Sequence, residues 1–258
     1  NNGTLAIDLS SSPTINNNIS GSGLVTNLGT GSTALGGTVA NTIQTSHPAG
    51  NLCIGPCPLD ITTQTTSAQI QALSASDIAG LSNSQIQLVT ATQLSYFTNA
   101  QLALWSNTQL ALLTPTQLAG LTVGQIPSLT TSQLGVWGAS QIAALSATQL
   151  ASLGTTQVSS LTNTQLGGLS AAQVAALSTS SLTASQWSGL STTQLGSLTT
   201  SQLSALSSTQ LTALTASQLA ALSTSQVSAF SATQVGNLSS TQLAALTATQ
   251  MAALSNTQ

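Results

Sequence analysis

The sequence predicts an all-α repeat solenoid of very short helices, one per eight residues, behind a non-helical N-terminal arm. Three observations predict it. Glutamine recurs at a fixed interval of eight, at Gln210, Gln218, Gln226, Gln234, Gln242 and Gln250, and the octad runs back to about Gln69. A Ser or Thr stands three residues before almost every one of these glutamines. A large apolar residue precedes that hydroxyl, and another follows the glutamine.

The octad is numbered here from its hydroxyl residue, so glutamine is position 4 and the two large apolar residues are positions 5 and 8. In Leu145-Ser146-Ala147-Thr148-Gln149-Leu150, Ser146 and Gln149 form the Ser-x-x-Gln pattern of a capping box. The serine hydroxyl accepts from the backbone N–H of the glutamine, whose side chain reaches back to the serine N–H. Leu145 and Leu150 flank the box as a hydrophobic staple. One octad therefore carries both halves of a helix start. The cap position is Ser or Thr at Ser74, Ser82, Thr90, Thr98, Ser106, Thr114, Thr122 and Thr130, and on to Ser255. Gly138 and Gly154 are exceptions that still suit an N-cap. Asp77 stands once for glutamine, where an acid suits the positive helix end. Pro115 follows its cap directly and fits the first helical position. Pro127 follows Ile126 and removes a helical hydrogen bond, so a short or distorted helix is expected there.

A continuous helix is excluded by the period. Eight residues turn through about 800°, an offset near 80° per repeat, so the leucines would spiral around the rod. A plain strand is excluded because Leu145, Leu150 and Leu153 are separated by odd numbers of residues and would alternate faces. A short helix, a bend at each cap and another short helix remain. A β-solenoid with corners inside each octad is the alternative. Positions 6 and 7 are mostly Ala, Ser or Gly, which predicts close approach between helices. The aromatic residues at position 8, Phe97, Trp105, Trp137 and Phe230, read as core. No octad is long enough to hold a helix alone, so stacking must supply the stability. The register slips once. Gln173 and Gln186 are thirteen apart, and Leu182 both closes the staple opened by Leu177 and precedes the cap Thr183. This reads either as a deletion within the array or as a bend or contact point.

The composition excludes several functions. The chain has no Lys or Arg, and its only acids are Asp8, Asp60 and Asp77. Nucleic-acid binding needs cations for phosphate, and so does adhesion to anionic membranes. No apolar run approaches the ~20 residues of a membrane span. Low net charge promotes association, which suits a polymer. The start at Asn1 without Met reads as a mature, exported and processed product, placing the protein outside the cell or on its surface.

Residues 1–60 lack the octad, which divides the chain into an arm over 1–60 and a repeat region over 61–258. Leu5, Ile7 and Leu9 alternate with Ala6 and Asp8, a strand signal that marks them as the candidate assembly arm. Further strands are expected around Leu24-Val25 and Val39–Ile43, between Gly- and Asn-rich turns. With few large apolar residues, this region is expected to pair with the first solenoid turns or with a neighbouring molecule. Cys53 and Cys57 enclose Ile54-Gly55-Pro56. In an exported chain they suggest a disulfide. A metal site with His47 and Asp60, or free thiols, are the alternatives, although zinc prefers tighter spacings and four ligands.

Catalytic patterns are absent. His47 is the only histidine, no Gly-x-Ser-x-Gly elbow occurs, and no Glu exists to pair with the scattered aspartates. Gly21-Ser22-Gly23 and Gly29-Thr30-Gly31 lack the lysine of a phosphate loop. The sequence implies no enzyme and no cofactor.

The octad resembles the tandem Leu-Thr-x-x-Gln-[Leu/Ile/Val] arrays of very large bacterial surface proteins, those called adhesins or haem-utilisation proteins. Ala213-Leu214-Thr215-Ala216-Ser217-Gln218-Leu219 is a sample, and the likeness covers about residues 69–258. One octad is also similar to the first helix start of TAL-effector repeats, but the second helix and base-reading loop are missing. Together these readings imply the subunit of a secreted bacterial filament. It would associate with itself head to tail through the arm and an open solenoid end at Asn256-Thr257-Gln258. A monomeric stalk or adhesin is the first alternative, and an ice-binding or surface-active solenoid the second.

Overall fold

The computed structural model describes residues 66–254 in full. Before them it describes only the backbone of six short strands, Leu5–Ile7, Thr14–Ile15, Gly23–Asn27, Ala34–Leu35, Ile43–Gln44 and Leu52–Ile54. Leu5–Ile7 pairs parallel with Gly23–Asn27, with Leu5 opposite Val25. Leu52–Ile54 pairs antiparallel with Gly23–Asn27 and with Ile43–Gln44. The backbone of Cys53 lies in the strand Leu52–Ile54; its side chain, residues 55–57, Leu9 and most of the arm expected over 1–60 lie outside the described residues.

Among the described residues, twenty-two α-helices of four to six residues run from Ser67–Gln71 to Ala248–Ala253. Two 3-10 segments, Ile126–Ser128 and Thr179–Ser181, interrupt the series. The all-α repeat of very short helices is therefore present, one helix per octad, and the β-solenoid alternative falls. The first 3-10 segment contains Pro127, where the sequence predicts distortion. The second lies in the register slip.

Each helix starts as the octad dictates. Ser146 is extended (φ −65°, ψ 161°), its hydroxyl accepts from the Gln149 N–H, and Gln149 answers in a full capping box. The same reciprocal pair recurs from Thr66 with Gln69 to Thr247 with Gln250. Asp77 performs it with a carboxylate, at 2.8 Å from the Ser74 N–H. Gly138 and Gly154 have no hydroxyl, so only the glutamine half forms, at 2.8 Å in both cases. Each helix ends within two turns because the next cap residue is extended again.

The chain divides into two compact units, Asn1–Leu104 and Trp105–Gln258. In the first, the core of the described part comprises Ile70, Ile78, Leu81, Ile86, Val89, Leu94, Phe97 and Leu102. Leu88 and Leu104, both at position 7, are exposed.

In the second unit, successive octads wind into coils of three. Ala139–Ala143 packs against Asn163–Gly167, Ala147–Ala151 against Ala171–Ala176, and Thr224–Val227 against Ala248–Ala253. Each partner begins twenty-four residues, or three octads, further on. Positions 5 and 8 fill the interior, as Leu150, Leu153, Leu211 and Leu214 illustrate, and the aromatic Trp105, Trp137 and Phe230 are core as the sequence predicts. Positions 6 and 7 behave differently, although both are small. A Cβ on Gly135, Gly167, Gly196 or Gly236, at position 6, would meet nothing within 4 Å. A Cβ on Gly168, at position 7, would stand 2.8 Å from the Ala139 Cβ, and one on Gly189 would stand 2.8 Å from the Asn163 side chain. Close approach thus needs position 7 alone, which packs on position 2 of the preceding coil. The same contact carries hydrogen bonds from Ser197 Oγ to Ala171 O at 2.9 Å and from Asn237 Nδ2 to Ser208 Oγ at 2.8 Å.

Candidate functional site: the glutamine ladder

Position 4 carries a second bond set that the sequence reading lacks. Glutamine Oε1 accepts its own cap N–H, as at Thr215 and Gln218, 2.7 Å. The Nε2 of the same side chain donates backwards across the coil. Gln218 Nε2 reaches Trp187 O at 3.0 Å and Leu190 O at 2.7 Å. Gln226 reaches Leu195 O and Leu198 O, Gln242 reaches Thr212 O and Leu214 O, and Gln250 reaches Leu219 O and Leu222 O. Gln149 does the same to Ala119 O and Leu121 O. In the first unit, Gln101 Nε2 donates to Ile70 O at 2.8 Å and to Leu73 O at 3.1 Å. The offsets to the position-5 and position-8 carbonyls are 31 and 28 residues in the regular coils.

Those carbonyls lie at the C-terminal end of a helix, where the last C=O groups lack the usual donors four residues on; the position-5 carbonyl also accepts the position-8 N–H, as Leu219 O does from Leu222 N at 3.2 Å. One primary amide therefore caps the start of its own helix and the end of another, four octads back. This explains why glutamine can be buried here: Gln149, Gln165, Gln186, Gln194 and Gln218 are all buried, and buried polar groups must be hydrogen-bonded. It also explains the residue type. Glutamate would serve a capping box as well as glutamine, but a carboxylate has no N–H to give the carbonyls. The chain contains no Glu at all, and that choice is the signal from which the ladder was readable.

Trp137 adds a bond of the same kind. Its Nε1–H donates to Leu110 O at 3.1 Å, so an aromatic position 8 also ties its coil to an earlier one.

The register slip is absorbed within one coil. Ser178–Leu182 occupies a full side of its coil although it has five residues instead of eight. Thr155–Ser160 packs against Thr179–Ser181, Asn163–Gly167 against Ala184–Gly189, and Ala171–Ala176 against Thr192–Gly196. The first of these pairs still begins twenty-four residues apart (179 − 155), and the two that span the short side begin twenty-one apart (184 − 163 and 192 − 171). The ladder shifts by the same three. Gln186 donates to Val158 O and Leu161 O at offsets of 28 and 25, and Gln194 to Leu166 O and Leu169 O likewise. Gln210 returns to the 28-residue offset at Leu182 O.

Of the residues singled out for assembly, Leu5 and Ile7 lie in the first strand and Leu9 is outside the described residues; of the expected disulfide pair, Cys53 has its backbone in the strand Leu52–Ile54, while its side chain and Cys57 lie outside them. Asp77 and Tyr96 are the only ionisable side chains in the helical region from Thr66 to Leu254. No group of three or more metal-ligating side chains occurs among the described residues, and no helix there is long and apolar enough to cross a membrane. The chain matches no known protein-family model and no curated protein.

Proposed function

We propose that this protein is the structural subunit of a secreted bacterial filament, with the repeat array as its body and residues 1–60 as its joining arm. The observation that carries this reading is the self-complementarity of the coils. One face of each coil offers glutamine N–H donors, and the opposite face offers helix-terminal carbonyls at matching intervals. Such a surface is directional, and directional contacts that do not close build filaments. The octad's likeness to bacterial surface arrays supports the location, and the near absence of charge supports association. In this reading the Leu5-Ile7-Leu9 segment of one subunit lies on the next, by strand addition or along a groove between coils.

Negative-stain microscopy of the purified chain tests the proposal, with long fibres of uniform width expected. Deletion of residues 1–23 should leave the helical signal intact and abolish the fibres. Single rods from the unmodified chain, or normal fibres from the truncated one, would each defeat the assembly role given to the arm.

A further inference from the structure

Within its coil, the side Ser178–Leu182 lacks most of what joins the other sides to the preceding coil. The regular ladder would place a glutamine amide on the carbonyls of Leu150 and Leu153, but that side carries no glutamine. Gln173 serves Ala143 O and Leu145 O, and Gln186 serves Val158 O and Leu161 O, so the ladder passes over the pair between them. Ser178 makes no side-chain cap bond and leaves the cap conformation, with ψ 84°. Where a regular octad buries a leucine at position 5, this side buries only Thr179 beside Leu182. The following helix carries Trp187 at position 5, where the neighbouring octads carry leucine or valine. Trp187 is 0% exposed, and its indole N–H has no partner. One octad has thus lost a ladder rung, a capping box and a core leucine, and its neighbour buries an unsatisfied donor.

Repeat arrays are held by the sum of each unit's stability and its nearest-neighbour interfaces, and local opening follows the weakest of these. We propose that Ser178–Leu182 is a built-in opening point, at which the array separates into blocks on either side before any other coil yields. Heat or tension would part the chain here. Opening would bare the donor face formed by Gln186, Gln194 and Gln202, so the position also sets where the array can bend without unravelling.

The register supplies a specific repair. Inserting Gln-Leu-Ala between Ser180 and Ser181 makes the side read Ser-Thr-Ser-Gln-Leu-Ala-Ser-Leu, a complete octad, and Trp187→Leu restores the usual core residue behind it. Hydrogen exchange on the unmodified full chain should be at least about tenfold faster for amides of residues 179–190 than for the matching amides of residues 208–222, because opening there breaks fewer interactions. In the repaired chain the difference should vanish. Equal protection of the two segments in the unmodified chain overturns the proposal even if the repaired chain fails to fold. So does persistent fast exchange at the repaired side in a folded variant.

Discussion

Two stretches of the second unit can be set side by side: the regular octad around Gln149 and the five-residue side Ser178–Leu182. Both occupy one side of a coil. The regular octad has a hydroxyl cap, a glutamine that closes two helices and two buried leucines. The short side retains one leucine and a threonine. The array nevertheless continues in phase beyond it, because Gln186 and Gln194 find the same class of carbonyl three residues closer in sequence. What the repeat conserves through the slip is the count of sides per coil. The number of residues per side can fall as long as the remaining rungs meet helix ends. The ladder is therefore the element that sets phase, and the leucines supply most of the burial.

The largest expected difference between the two stretches lies in the core. Leu150→Ala removes a fully buried side chain and should cost roughly 2–5 kcal/mol of local stability. Thr179→Ala, at the short side, should cost about 1 kcal/mol or less, in the range of one buried methyl-sized group. Exchange rates or denaturant midpoints compare the two, and equal losses would mean that the short side is packed as tightly as the rest.

Next in size is the ladder itself. Gln149→Glu keeps an acceptor for the Ser146 N–H and removes the donor, setting a carboxylate against the carbonyls of Ala119 and Leu121. The cost should be roughly 2–3 kcal/mol, the penalty of burying unsatisfied polar groups. If the capping box alone explained glutamine, this variant would be close to neutral.

The caps come third. Ser146→Ala should cost roughly 0.5–2 kcal/mol, whereas Ala147→Ser, at an exposed position 2, should change little. Gly154→Ser should gain a few tenths of a kcal/mol by supplying the missing hydroxyl. A loss at Gly154→Ser would show that its cap cannot take a side chain, although only the Gln157 amide oxygen lies near a Cβ there, at 3.6 Å.

These variants also mark what was legible in the sequence. Cap, staple and helix start are written within six residues, so each could be read from a single octad, and Pro127 announced its own distortion. The three-sided coil was not legible in this way. It depends on the bend angle at every extended cap, summed over three helices, and hydrophobic spacing does not encode that angle. The amide half of glutamine bonds 25 to 31 residues away, beyond any local pattern, and left its trace only in the exclusion of Glu. Positions 6 and 7 looked alike as small residues, and the sequence could not say that only position 7 faces a neighbour.

The smallest expected effect compares the helical region with residues 1–65. From Thr66 to Leu254 the only ionisable side chains are Asp77 and Tyr96, and every ladder bond joins neutral groups. Stability depends on pH only through groups that bind protons differently in the folded and unfolded states. With almost no such groups, the melting of the helical signal should stay within about 2 °C from pH 5 to pH 9, less than the few degrees that 1 kcal/mol moves a domain of this size. Added salt should matter as little, since screening acts on charges. His47, Asp8, Asp60 and the two cysteines all precede Thr66. A melting temperature that moved with pH near neutrality would therefore identify those residues as the source, and would mean that the stability of the helical array is coupled to the segment before it. A flat profile would mean that the array holds itself together through its neutral ladder and leucine core.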